Sequence, residues 1–109
     1  LAKEELVSEV VGEKWDDGKI RFSLVPWKGV EAVGEVAMYG LRKGYKKDSW
    51  KFVEGGFERY KDALVRHLVK ELVGEHVDPE SGLPHLYHVA WNALAVCHFL
   101  MEGKQSEKQ

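Results

Sequence analysis

Residues 62–92 read DALVRHLVKELVGEHVDPESGLPHLYHVAWN. The reading of this stretch decides the fold. Before Gly74, leucines recur at 64, 68 and 72, the spacing that lines one side of an α-helix. From His85 onward, Leu86, Ala90, Ala93 and Leu94 repeat in the same way. Between the two runs lies Asp78-Pro79-Glu80-Ser81-Gly82. Asp first, Pro second and Gly for a left-handed exit suit a type I turn. The stretch is therefore a helical hairpin. It also concentrates titratable groups beyond a structural hairpin's needs: His67, Glu71, Glu75, Asp78, Glu80, His85 and His88.

The first helix of the hairpin is expected over 57–74, with Phe57, Tyr60, Leu64, Leu68 and Leu72 as its apolar stripe. Projected at about 100° per residue, Glu71 and Glu75 fall on the side of Leu64 and Leu68, and His67 at its margin. Glu75 lies past Gly74, where the helix can already have ended. A carboxylate on an inward face pairs, ligates a metal or shifts its pKa, because desolvating a bare charge is costly. The second helix is expected over 85–101, with Pro84 opening it. Leu86, Ala90, Ala93, Leu94, Cys97, Leu100 and Met101 form its expected core stripe. His85, His88 and Asn92 form a separate stripe beside it. HxxH spacing puts two imidazoles on one face, able to share a metal or a phosphate. The plain alternative is a pair of hydrogen-bonded structural histidines. Glu75 and Asp78 facing them across a short turn favour a functional role. His98 reads as a surface residue.

Upstream, a helix is expected over 30–43, with Val30, Val33, Ala37 and Leu41 at helical spacing. Glu31 and Glu35, four apart, share a face beside that stripe and call for a cation, either Arg42 or a metal. Solvated glutamates are the ordinary alternative. Residues 44–56 read as a loop in which Tyr45 and Trp50 stand among Lys43, Lys46, Lys47 and Lys51. Aromatics among lysines can stack a base and meet phosphates; otherwise Trp50 anchors the loop in the core. In WDDGKIRFSLVP, residues 15–26, Asp17-Gly18 is a turn and Ile20, Phe22 and Leu24 alternate as in a half-buried extended segment. Without a second strand to pair, it is expected to be an extended arm. There Lys19 and Arg21 can meet phosphate or form a solvated edge. Residues 1–12 carry a weak helical pattern through Ala2, Leu6 and Val10, stopped by Gly12. The end, EGKQSEKQ, has no apolar face and is expected to be a disordered tail over 103–109 after a single domain over 1–102.

At 109 residues, with 44% hydrophobic and 31% charged side chains, the chain has a soluble globular balance and a modest core. The net charge of −2 and the lack of a basic face argue against nucleic-acid and anionic-membrane partners. No apolar run approaches the roughly 18–20 residues of a membrane span. The single cysteine, Cys97, forms no internal disulfide, which fits a reducing, cytoplasmic setting. Leu1 stands where an initiator Met would, so an upstream segment is expected to be missing.

Three blocks, GEKWDDGKIRFSLVP, EVAMYGLRKGYKKDSW and DALVRHLVKELVGEHVDPESGLPHLYHVAWNALAV, together resemble the phage dATP/dGTP diphosphohydrolase domain. These are MazZ-like relatives of the all-α MazG nucleotide pyrophosphohydrolases. The third block is the most specific, with RH, GE, the DPESG turn, HxxH and WNAL in order. The resemblance implies an all-α, MazG-like helical bundle with an extended N-terminal arm, completed by oligomerisation as a dimer or tetramer. It also implies Mg²⁺- or Mn²⁺-dependent conversion of dGTP or dATP to monophosphate and pyrophosphate, in the cytoplasm of a bacterial host. MazG-type enzymes hold their metals with ExxE and ExxD pairs on facing helices. This chain departs from that pattern. It offers Glu31 and Glu35 at a spacing of four, Glu75 and Asp78 at three, and His85 and His88 where ExxD is expected. Glu71 stands where relatives carry an aromatic, which ranks it below Glu75.

A triphosphate brings about four negative charges, and hard divalent cations held by carboxylates suit it. The expected metal ligands are Glu31, Glu35, Glu75 and Asp78. The expected catalytic groups are Glu75, Asp78, His85 and His88. Lys19, Arg21, Lys43 and Arg66 are expected to meet phosphate, Trp50 to stack the base, and Asn92 to bond a base edge or the sugar. The rival reading is a non-enzymatic helical interaction module with a structural metal site. The lack of the thiolates that most structural zinc sites use weighs against it.

Overall fold

The computed structural model describes residues 10–105. Three α-helices carry it: α1 (Trp27–Lys43), α2 (Gly56–Leu72) and α3 (His85–Met101). Two 3₁₀ turns, Phe22–Leu24 and Ser49–Phe52, stand before α1 and α2. The fold is all-α, and its one β-type contact is an isolated antiparallel bridge between Val77 and Pro84 among the described residues. No described helix is long and apolar enough to cross a membrane.

The three helices end alike. Gly44, Gly74 and Gly103 all take left-handed φ, at +112°, +101° and +72°. Each glycine amide bonds a carbonyl three residues back, and the next amide reaches five back: Gly44 to Leu41 with Tyr45 to Gly40, Gly74 to Glu71 with Glu75 to Lys70, and Gly103 to Leu100 with Lys104 to Phe99. This is the Schellman closure, which only a residue tolerant of positive φ makes cheaply. At Gly74 it decides the site, because it turns the chain off α2 and delivers Glu75 beyond the helix.

Helix α3 is the hub. Both α1 and α2 pack against it, and among the described residues they do not pack on one another. Gly56 at the start of α2 meets Phe99 near the end of α3, while His67 late in α2 meets His85 and His88 at the start of α3. The two helices therefore run antiparallel. Helix α1 is likewise antiparallel to α3, since Val33 shares a cavity with Trp91 and His98 and Tyr39 meets His88. A Cβ on Gly56 would lie 2.7 Å from Phe99 Cζ, so this glycine sets the closest approach of α2 to α3.

The apolar core is small: Val36, Ala95 and Phe99 are its buried hydrophobic residues among those described. Trp50 and Tyr60 pack on Phe99, edge-on at 5.8 Å and stacked at 6.1 Å, and Trp91 meets both of them edge-on at 5.7 and 5.6 Å. The buried polar residues Asp78, His85, His88 and Asn92 match that core in weight.

Several expectations are corrected here. The 3₁₀ turn at Phe22–Leu24 replaces the regular alternation expected there. Trp15, Ile20, Phe22 and Leu24 are all exposed, so the arm is not half-buried. Helix α1 starts three residues earlier than expected and turns Ala32, Val33, Val36, Tyr39 and Gly40 inward, leaving Val30, Ala37 and Leu41 exposed. Leu72 is exposed on α2, and Cys97 is exposed on α3. On α3 the expected core stripe and its polar neighbour change places: Leu86, Leu94, Leu100 and Met101 face out, while His85, His88 and Asn92 are buried. The helix is apolar nearly all round, so composition alone does not orient it. Hydrogen-bond partners on α2 and in the 75–84 connection do. The N-terminal helical pattern rests on residues 1–9, outside the described residues, as are 106–109 of the tail.

Candidate metal and phosphate site

The site forms where α2 ends, the 75–84 connection turns and α3 begins. The connection is tied by backbone bonds from Asp78 N to Leu83 O (2.9 Å), Gly82 N to Asp78 O (2.7 Å) and His85 N to His76 O (2.8 Å). Gly82 takes φ +76° at the left-handed exit expected of the DPESG turn. Inside the turn, Asp78 Oδ1 accepts from Glu80 N at 3.2 Å, and Asp78 Oδ2 accepts from Ser81 Oγ at 3.0 Å. Ser81 Oγ in turn accepts from Leu83 N at 3.1 Å and lies 2.7 Å from His88 Nε2. With the hydroxyl proton committed to Asp78, the short contact to His88 requires that His88 Nε2 carry a proton and donate it.

Three histidines gather at this turn. The rings of His67 and His88 are nearly parallel, 4.4 Å apart. His67 Nδ1 lies 2.8 Å from His85 Nδ1, and His85 Nε2 lies 2.8 Å from Glu75 Oε2. His88 Nε2 is also 3.5 Å from Asp78 Oδ2. His67, Asp78 and His88 each offer a ligand atom, and these atoms all lie within 4.8 Å of one another. Two imidazoles and one carboxylate form a donor set that a divalent ion can use.

The electrostatics prepare these donors. Burial holds His67 and His88 below the ordinary histidine value of 6.5; the Asp78 carboxylate opposes this at both, and neighbouring histidine charge adds to it. Both are thus neutral at pH 7, the form that ligates metal. Burial opposes ionisation of Asp78, but the hydrogen bonds from Ser81 and the Glu80 amide, with the nearby His88 and His67, hold its carboxyl below the usual range. A cation also stands at the edge. Lys43 Nζ pairs with Glu80 Oε2 at 3.0 Å. It lies 5.9 Å from the Tyr39 ring centroid and 5.5 Å from that of Tyr45. That hydrogen bond raises the Lys43 pKa and lowers that of Glu80. Tyr39 stands edge-on to His88 at 6.0 Å, and burial pushes its hydroxyl pKa up.

The residues singled out in the sequence are distributed unevenly. Asp78, His85 and His88 converge, and Glu75 joins them through His85. Lys43 sits at the rim. Arg66 is exposed on α2 beside His67, and Lys19 and Arg21 are exposed on the arm. Glu31 and Glu35 are exposed on α1 and lie outside the His67, Asp78 and His88 group. Asn92 is buried and donates to the His88 carbonyl at 2.7 Å, one turn back on its own helix. Trp50 packs edge-on to Trp91, His98 and Phe99. It also lines an open cavity of about 230 Å³ with Val33, Trp91, Leu94, Ala95 and His98. His98 is thus part of an aromatic cluster, not a plain surface residue. Sequence reasoning left His67 at the margin and passed over Ser81, Tyr39 and His76, the last paired with Glu71 at 2.9 Å. His67 was findable, since it stands in register with the inward leucines of α2. Ser81 gave no signal apart from its place in the turn.

Residues 9–109 match the family described as dATP/dGTP diphosphohydrolase, N-terminal. The chain is similar to a dATP/dGTP diphosphohydrolase of Salmonella phage PMBT28, at 33% identity over 81 residues, which is 74% of this chain. It spans 27% of that relative's length. No solved structure matches it. The extent of the family match and the identity to the phage protein together place this chain in the dATP/dGTP diphosphohydrolase family, over its N-terminal region.

Proposed function

We propose that the chain takes part in divalent-metal-dependent hydrolysis of dGTP or dATP to monophosphate and pyrophosphate. The observation that carries the reading is the convergence of His67, Asp78 and His88, with ligand atoms within 4.8 Å, where α2, the 75–84 connection and α3 meet. The similarity to a phage dATP/dGTP diphosphohydrolase supports the substrate class. His67, Asp78 and His88 are the residues that would hold the ion; because His88 Nε2–H donates to Ser81, His88 would ligate through Nδ1 or only after releasing that bond. Imidazole donors suit Mn²⁺ better than Mg²⁺, which prefers all-oxygen shells. When bound, the ion supplies charge stabilisation on the phosphates and acidifies water. Glu31 and Glu35 are assigned no part in holding it.

The chain's own groups do the rest. Water attacks the α-phosphorus, and the bond from that phosphorus to the bridging oxygen breaks. Its electron pair leaves on pyrophosphate. The water's proton passes out through the imidazole and carboxylate groups of the cluster. Lys43 exchanges Glu80 for a phosphate oxygen, and Arg66, Lys19 and Arg21 add positive charge around the polyphosphate. The base enters the cavity beside Trp50. Trp91 and Ala95 follow His88 on α3 by three and seven residues, a rise of about 5 to 10 Å, so one helix spans both ends of a nucleotide. The exposed apolar side of α3, with Leu86, Leu94, Leu100 and Met101, meets a second copy. This completes a MazG-like bundle as a dimer or tetramer, since a helix apolar all round is normally buried.

The test is a panel of nucleoside triphosphates with Mn²⁺ or Mg²⁺, with products resolved. Monophosphate and pyrophosphate from dGTP or dATP, faster with Mn²⁺, is the expected outcome. Strong metal-dependent thermal stabilisation with no turnover of any nucleotide would instead favour the interaction-module reading.

A further inference from the structure

We propose that Glu75 is a positioning residue: acting through His85, it fixes the tautomer of His67 so that His67 presents an unprotonated Nε2 to a divalent cation. This rests on the metal reading of His67 given above. It departs from a direct ligand role for Glu75.

The argument is a count of protons along two short bonds. Glu75 Oε2 belongs to a carboxylate that can only accept, so His85 Nε2, 2.8 Å away, carries a proton and donates it. The next contact joins His85 Nδ1 to His67 Nδ1 at 2.8 Å. Two bare nitrogens or two N–H groups repel at that separation, so the pair shares one proton. Where both rings are neutral, His85 has its single proton on Nε2, so its Nδ1 is the acceptor and His67 Nδ1–H the donor. Neutral His67 then has its lone pair on Nε2. The other ring beside it, His88, is committed to Ser81 through its own Nε2. A ligating histidine is commonly oriented by a partner on its other nitrogen; here the partner is a second histidine, itself held by a carboxylate. The Schellman turn at Gly74 supports the arrangement, because it carries Glu75 off α2 to where His85 begins α3.

The prediction is read first without metal. In the uniformly ¹⁵N-labelled full chain, at a pH above the histidine range, long-range ¹H–¹⁵N spectra should show His67 protonated at Nδ1 and His85 at Nε2. Free imidazole side chains favour the Nε2–H form, so a merely structural contact would not produce this pattern at His67. In Glu75→Ala, His67 should shift toward Nε2–H, and calorimetric Mn²⁺ affinity should fall by about tenfold or more. Glu75→Gln can still accept from His85 Nε2–H through its carbonyl oxygen, and should keep both the tautomer and most of the affinity. Three results would overturn the proposal: an Nε2–H tautomer at His67 in the unmodified chain, an unchanged tautomer in Glu75→Ala, or Mn²⁺ affinity lost as fully in Glu75→Gln as in Glu75→Ala. The expected tautomers with no Mn²⁺ binding at all would leave the hydrogen-bond chain standing and overturn the metal site.

Discussion

Helix α3 has two faces that differ in the opposite sense from ordinary amphipathic helices. One face carries His85, His88 and Asn92 and is buried; the other carries Leu86, Leu94, Leu100 and Met101 and is exposed. Burying polar groups is unfavourable unless each finds a partner. Here each does: among the described residues no buried side-chain nitrogen or oxygen lacks a hydrogen bond. A leucine face in water is tolerable but uncommitted. The contrast teaches that partners, not hydropathy, set the rotation of this helix. Its inner face carries the proposed site and its outer face the proposed contact with a second copy.

The comparison breaks most sharply at the inner face. Asp78→Ala removes the acceptor shared by Ser81 and the Glu80 amide, together with a proposed ligand. Turnover of dGTP should vanish while circular dichroism still reports the three helices. Full retained activity would remove Asp78 from the site. The next largest effect is expected in the small apolar core beneath both faces. Phe99→Ala should cost about 3–5 kcal/mol, read by urea denaturation. Gly56→Ala at the same contact should cost about 1–3 kcal/mol by forcing Phe99 aside.

The outer face is tested by its indifference. A double change, Leu94→Ser with Leu100→Ser, should reduce self-association in light scattering. The hydrogen-bond network around His88 should remain intact. If these changes unfold the chain at low concentration, the leucine face belongs to the core after all.

Acid sharpens the same comparison. His67 and His88 have folded pKa values below the ordinary 6.5. In the interval between the folded and unfolded values, the unfolded chain binds more protons. Their contribution to stability is therefore fully present above about pH 6.5 and is lost as pH falls through that interval. Asp78, also lowered, loses its share further down, below the ordinary carboxylate value. The metal-free chain should melt at a lower temperature at pH 5 than at pH 7.5, and His67→Gln should flatten that slope. The smallest effect belongs to the rim. Lys43→Ala breaks an exposed pair with Glu80, so stability should hardly change. The KM for triphosphate should still rise.

Much of the fold was legible in the sequence. The bounds of α3, the turn at 78–82, the left-handed exit at Gly82 and the glycine that ends α2 all follow from local chemistry, which acts over a few residues. The burial of α3's polar stripe was not legible. It depends on bonds to Glu75, Ser81 and His67, which lie 7 to 21 residues away from their partners His85 and His88 along the chain. For the same reason HxxH could be read as a ligand pair, yet the candidate ligand group joins His88 with His67 and Asp78, and His85 lies outside it, bonded to His67. The Glu31 and Glu35 pair illustrates the converse: helical spacing puts two carboxylates on one side, but not at the site.

The central claim is that a divalent ion sits among His67, Asp78 and His88. Its most direct test is a crystal structure of the chain grown with Mn²⁺ and a non-hydrolysable dGTP analogue, with the ion located by its anomalous scattering. The expected result is a Mn²⁺ peak bonded to one nitrogen each of His67 and His88 and to Asp78, with the polyphosphate on its open side. A peak on Glu31 and Glu35 instead, with the histidine stack unliganded, would contradict the account.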